Sequence, residues 1–253
     1  NSLGQITSIA FKAHTTVTMG ALKLSLFLDE AKDYIGKIKV VNLGVQRELY
    51  EVNTDTFLLE KSDLNLPFRK QKNTHKGDFG HLNIIAGQKK GASIIAAKAA
   101  FNFGAGLVSV LCPEDTNLPH ELMQTDKLSE NCTALAIGMG LGKRSLKEID
   151  EILALNIPML IDADLFYEEI ILKVLKKQVV LTPHPKEFCS LLKISKIADI
   201  DIKTLQKNRF EYVRKFCQKY PKVVLLLKGA NTIIAQEEKI YINNLGNASL
   251  SKG

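Results

Sequence analysis

The 253-residue chain has no tryptophan and only 7 prolines. Its four cysteines, Cys112, Cys132, Cys189 and Cys217, form no C-x-x-C pair. That spacing excludes a disulfide-framed scaffold and a cysteine-based zinc site, and leaves reduced thiols in a cytoplasmic protein as the expectation. No apolar run approaches the ~18 residues that a membrane-spanning helix needs, and nothing reads as a signal peptide. G-x-S-x-G and H-E-x-x-H are both missing, which removes the commonest hydrolase and zinc-protease signatures. His14, His75, His81 and His120 fall in no metal-ligand spacing, so no metal cluster is expected. Internal repeats, low-complexity tracts and aromatic-rich basic segments are absent too, which argues against a nucleic-acid partner.

What is present is ordinary for a globular protein: 45% hydrophobic and 24% charged residues. The net charge is +7 and the pI near 9.1, carried mostly by lysines scattered along predicted helices. That balance suits an anionic partner, best a phosphate-bearing small molecule. An oligomer of identical chains is compatible with the sequence, which does not specify one.

Residues 1–52 read as strands and short loops, with "TTVTMG" (15–20) and "GKIKVVNLGV" (36–45) as strands. Residues 53–75 are polar and basic without a period, and read as a connector. From 76 onward, short apolar runs alternate with helical stretches. Strands are expected at 81–87, 107–112, 133–138, 157–162, 178–182 and 222–229. The clearest helix spans about 201–219, where Leu205, Val213, Phe216 and Cys217 share one face. "NTIIA" and "KIYIN" read as a closing hairpin. Such alternation predicts an α/β fold with a largely parallel sheet and helices on both faces.

In such sheets ligands bind beyond the carboxyl ends of the strands. Five turns lie there. "GQKKGAS" (87–93) is either a plain strand–helix turn or a loop letting backbone approach an anion. "IGMGLG" (137–142) supplies Gly138, Gly140 and Gly142 but not the full dinucleotide fingerprint. "DAD" (162–164) offers carboxylates for metal binding, hydroxyl activation or helix capping. "LTPHPKEF" (181–188) brackets His184 with two prolines, either to aim it at a ligand or for structure alone. "LKGANT" (227–232) puts Lys228 and Gly229 at a strand end, where they suit phosphate.

In this order, together with "KGDFGHLNIIAG" and the closing "LGNASLSKG", these stretches resemble the ADP- or ATP-dependent NAD(P)H-hydrate dehydratases. The resemblance implies a ribokinase-like fold over residues 76–253. Residues 1–52 resemble the end of an NAD(P)H-hydrate epimerase domain, a Rossmann-like fold, so the chain looks like part of a bifunctional nicotinamide-hydrate repair enzyme. The implied reaction phosphorylates the hydroxyl of a hydrated NADH or NADPH ring, and loss of phosphate restores the coenzyme. ADP or ATP is the implied donor, with AMP as product from ADP and Mg2+ as cofactor. K+ belongs to the epimerase, whose own site residues are expected before residue 1. A ribokinase-fold kinase of a vitamin or sugar hydroxyl, and a fragment that only binds nucleotide, are the alternatives.

By the same resemblance Ala92, Gly140 and His184 contact the hydrate. Lys228, Gly229, Ala230, Asn231 and Thr232 contact the nucleotide. Lys76, Gly77, Gly80 and Asp162 also match family positions. Asn231 stands where the family more often has glycine, which predicts a left-handed backbone there. Met139 replaces a common proline, which predicts a looser loop. The family's catalytic aspartate is expected just beyond Gly253, so no residue of this sequence is assigned as catalytic.

Overall fold

Short aliphatic runs ended by glycine or polar residues give the strands of this computed structural model, which describes residues 10–112, 114, 116–142 and 144–246. The strands are β1 (Thr15–Met19), β2 (Lys37–Val41), β3 (Thr56–Leu58), β4 (His81–Ile85), β5 (Leu107–Leu111), β6 (Met123–Thr125), β7 (Ala134–Ile137), β8 (Met159–Ile161), β9 (Val179–Leu181), β10 (Val223–Leu227), β11 (Thr232–Gln236) and β12 (Lys239–Asn243). The helices are α1 (Lys32–Ile35), α2 (Lys90–Phe103), α3 (Leu146–Ala154), α4 (Pro185–Ile194), α5 (Ile202–Lys207) and α6 (Arg209–Lys219).

β1 and β2 form a two-stranded parallel sheet. The other ten strands form one sheet in the order β3-β12-β11-β10-β9-β8-β7-β4-β5-β6. It is parallel except where the hairpin turns, at β10 with β11 and β11 with β12. Successive side chains alternate between its faces. Ile84, Val110 and Ala136 therefore build one core with Ala97 of α2. Ile85, Leu111 and Leu135 build the other with Ile149 of α3, Leu191 of α4 and Phe216 of α6. This is the largely parallel α/β sheet with helices on both faces expected from the sequence.

Three details depart from the sequence reading. The stretch read as a connector contributes β3, which pairs in parallel with β12. Arg214 clamps it by donating from Nε and Nη2 to Asp55, at 2.6 and 2.9 Å. This guanidinium holds the Asp55 carboxyl down at about 2. Secondly, β6 forms at an edge although "MQT" shows no strand pattern. Three residues are too few for a period to appear. Thirdly, the helix expected over 201–219 is two helices, broken at Asn208.

Residues 24–31 form two short 3-10 turns. Their Phe27, Leu28 and Ala31 are buried in the same core as α4 and α6. The four cysteines are free, with Cys112 and Cys217 buried. Burial pushes the Cys217 thiol up to about 12, so it stays protonated. No helix among the described residues is long and apolar enough to cross a membrane.

Below the sheet, on the side away from the strands' carboxyl ends, His81 is almost buried and its Nε2 lies 2.8 Å from Ser109 Oγ. Burial lowers its pKa from the ordinary 6.5. The unfolded chain therefore binds a proton at a pH where the folded chain does not. Stability from this site is complete above about pH 6.5 and falls as pH drops below that value. A His81→Gln variant should lose less unfolding free energy between pH 7 and pH 5.5 than the parent. Denaturant melts at the two pH values test this, and equal losses would contradict it.

Candidate functional site

The carboxyl ends of β4, β7, β8, β9 and β10 all open onto one edge of the sheet, because these strands run parallel. The turns that follow them touch in sequence along that edge. After β4, Gly87 sits so close to the next turn that a Cβ there would lie 2.2 Å from Leu141 Cα. Lys89 N–H donates to Gly140 O at 3.0 Å, and Gln88 N–H to Leu141 O at 3.2 Å. Ala92, in the first turn of α2, has its Cβ 3.4 Å from where a Gly140 side chain would begin. Ala92 and Gly140 are thus neighbours.

Gly138, Gly140 and Gly142 have φ of 115°, 60° and 61°. These values suit glycine and strain other residues. A Cβ at Gly138 would also collide with Asp162 O. Met139 between them is buried, and Ser93 Oγ donates to its carbonyl at 3.2 Å. The loop is pinned at this point, contrary to the looser loop expected with methionine here.

The "DAD" turn after β8 is held from both sides. Asp164 Oδ2 accepts from Gly142 N–H at 2.8 Å, and Asp162 Oδ1 accepts from Lys228 Nζ at 2.9 Å. Asp164 does not cap a helix here; its carboxylate ties two site turns together. Ala163 between them has φ 51°, a conformation costing roughly 1–2 kcal/mol for a residue with a Cβ.

His184 caps α4. Its Nδ1 accepts from the N–H groups of Lys186 and Glu187 at 3.1 and 3.2 Å. Glu187 answers by accepting from His184 N–H at 2.7 Å. A nitrogen accepting two donors carries no proton, so the ring proton is on Nε2, which faces Glu187 Oε1 at 3.1 Å. Both ring nitrogens are engaged within the turn, so the ring's half-exposed surface is what remains for a ligand. Glu187 Oε2 lies 3.9 Å from Lys228 Nζ, which joins this turn to the next.

Lys228 follows β10, with Gly229 and Ala230 exposed beyond it. Gly229 is required by crowding beneath it. A Cβ there would meet Asp29 Oδ2 at 2.5 Å and Arg209 Nη2 at 2.7 Å. Asn231 is buried and does not take the left-handed backbone expected of it. Its side chain turns away from the edge, with Nδ2 donating to Phe27 O at 3.0 Å. Its N–H donates to Asp29 Oδ1 at 2.9 Å. Asn231 therefore shapes the turn from below, and Thr232 begins β11.

Lys76, Gly77 and Gly80 are not brought to this edge. They precede β4 and lie at its opposite end, where a Cβ at Gly106 would run into Lys76 O. The final loop from 247 to 253 lies outside the described residues. No cluster of three or more potential metal ligands occurs among the described residues. Sequence reasoning missed Asp29 and Arg209. Arg209 had a visible signal: it stands four residues from both Leu205 and Val213, on the apolar stripe of its helix pair.

Residues 82–253 match the NAD(P)H-hydrate dehydratase family. The chain is 48% identical, over its whole length, to the bifunctional NAD(P)H-hydrate repair enzyme Nnr of Helicobacter pylori, and covers 54% of that protein. It is 30% identical to the ADP-dependent (S)-NAD(P)H-hydrate dehydratase of Neisseria meningitidis, over 72% of this chain and 67% of that one. The ADP/ATP-dependent NAD(P)H-hydrate dehydratase of Bacillus subtilis, co-crystallized with ATP/Mg2+, superposes with a TM-score of 0.59 at 27% identity, covering 73% of this chain and 71% of that one. The chain spans about half the length of the curated bifunctional relatives it matches.

The capping geometry of His184 is testable by substitution. His184→Ala should lower the unfolding free energy by about 0.5–2 kcal/mol, and His184→Asn, whose oxygen still accepts, by much less. Urea melts of the three proteins would show it, and equal stability of the alanine variant would contradict it.

Proposed function

The chain belongs to the NAD(P)H-hydrate dehydratase family, and we propose that this site dehydrates an NAD(P)H hydrate with ADP as phosphoryl donor. One observation carries the reading. The Lys228–Asp162 pair and the exposed Gly229–Ala230 backbone share a sheet edge with the Ala92–Gly140 contact and the His184–Glu187 turn. An anion-binding half and a half suited to a flat polar ring are thereby adjacent.

In the proposed reaction the ring hydroxyl gives up its proton, which is released to solvent, as its oxygen attacks the terminal phosphorus of ADP. The bond to AMP breaks and AMP leaves. The new phosphoester then departs as phosphate, a ring proton is lost, and the double bond of NAD(P)H returns. Lys228 is the residue suited to the transferring phosphate, since its ammonium is half-exposed and held at the strand end by Asp162. The exposed backbone of Gly229 and Ala230 lets phosphate oxygens approach closely. Ala92 and Gly140 present little side-chain bulk, which leaves room for the nicotinamide ring. Asp162 and Asp164 supply carboxylates without a cage of three ligands. Such a donor set fits Mg2+ that arrives on the nucleotide phosphates, where it would neutralise developing charge. ATP is the alternative donor. The β1–β2 pair, in our reading, is the last part of an epimerase domain, and K+ belongs to that activity.

The test is direct. Incubated with the full-length protein, hydrated NADH, Mg2+ and ADP or ATP should give back the NADH absorbance. Lys228→Ala should lower kcat/KM by about 10²–10³, the loss typical of removing one transition-state charge partner. No recovery with either nucleotide would overturn the reading, and a stable phosphorylated product would replace it with a kinase.

A further inference from the structure

We propose that Asp29 and Lys32, on the segment before the region matched to the family, are positioning residues for the nucleotide turn at 228–232. The inference rests on the nucleotide reading of that turn and adds a second part of the chain to the site. The family match begins at residue 82, yet the underside of the turn is built by residues 27–32.

Contacts from three residues carry it. Asp29 Oδ1 accepts from Asn231 N–H at 2.9 Å and also meets Arg209 Nη1 in an ion pair. Lys32 Nζ donates to Ala230 O, to Asn231 Oδ1 at 3.3 Å and to Asn244 O at 3.0 Å. Phe27 O accepts from the Asn231 amide. One short segment thus holds the carbonyl of Ala230, the N–H of Asn231 and the Asn231 side chain.

That grip fixes which way the turn's peptide groups face. Ala230 O and Asn231 N–H are the opposed ends of one trans peptide; Lys32 holds the first and Asp29 the second, so the plane of that peptide is fixed and both of its polar groups are occupied. The exposed backbone of Gly229 and Ala230 is left for an anion. If the grip is released, the peptide between Ala230 and Asn231 can turn its carbonyl outward, toward an incoming phosphate. An acceptor dipole there repels the anion. Arg209 makes the arrangement stiff. It is fully buried, and Asp29, in contact with its Nη1, supplies its counter-charge. Asp29 cannot move far without stranding that charge.

Lys32 is the residue to change, because it is only half-buried and its removal strands no charge. ADP and AMP binding to the whole protein would be measured by calorimetry for the parent, Lys32→Met and Lys32→Arg, with thermal unfolding alongside. Lys32→Met should weaken ADP binding about tenfold, as loss of one charge-assisted contact would. Lys32→Arg should recover most of it, and the hydrate's own affinity should not change. Amide exchange supplies an independent readout in the parent: ADP should slow exchange at Asn231 and across 27–32 together. Parent-like ADP affinity in Lys32→Met, or protection of the turn without protection of 27–32, would overturn the inference and leave the nucleotide reading intact. A parent that binds neither nucleotide would overturn the nucleotide reading itself, and this inference with it.

Discussion

A guanidinium with no exposure to solvent must find a counter-charge. Arg209 is such a group, and Asp29 supplies the charge. Burial lowers the Arg209 pKa from its ordinary value, and Asp29 opposes that shift. The pair joins three pieces of chain that are far apart in sequence: the turn at 27–32, the start of α6, and the turn after β10. Gly229 is glycine because the pair occupies the space beneath it. The position of the anion-facing turn is therefore set from below, before any ligand arrives.

The rest of the site follows from parallel strands. Because β4, β7, β8, β9 and β10 point the same way, their following turns collect at one edge. Glycines at 87 and 138 let the neighbouring turns approach to distances that side chains would forbid. Hydrogen bonds then link neighbouring turns, Lys89 to Gly140, Gly142 to Asp164 and Lys228 to Asp162, and an ion pair at 3.9 Å joins Lys228 to Glu187. Ala163 carries a strained backbone within this series. Such strain persists only where surroundings hold it, and here carboxylates on both sides do.

Much of this was legible in the sequence, and the failures have physical causes. Strands of the parallel sheet are buried on both faces, so they stand out as apolar runs between glycines and polar turns. Their turns also keep a fixed order along the chain. β3 and β6 were invisible because three-residue edge strands show no period. The left-handed reading of Asn231 used its residue type alone. It missed Phe27 and Asp29, which satisfy its amide and its N–H in an ordinary backbone. Lys76, Gly77 and Gly80 belong to the same ordered set of motifs as the site. A strand's two ends lie at opposite edges of the sheet, however, and they precede β4. Asp29 and Lys32 carried no signal at all, since pairing across some two hundred residues leaves no local pattern. Arg209 did leave one, as a charge on an apolar stripe.

A double-mutant cycle on the buried pair is the most direct measurement. Asp29→Leu alone strands the guanidinium and should lower unfolding free energy by about 3–5 kcal/mol. Adding Arg209→Met should restore most of that loss, because the stranded charge is then gone. A double variant as unstable as the sum of the two single losses would contradict a buried pair that holds the turn in place.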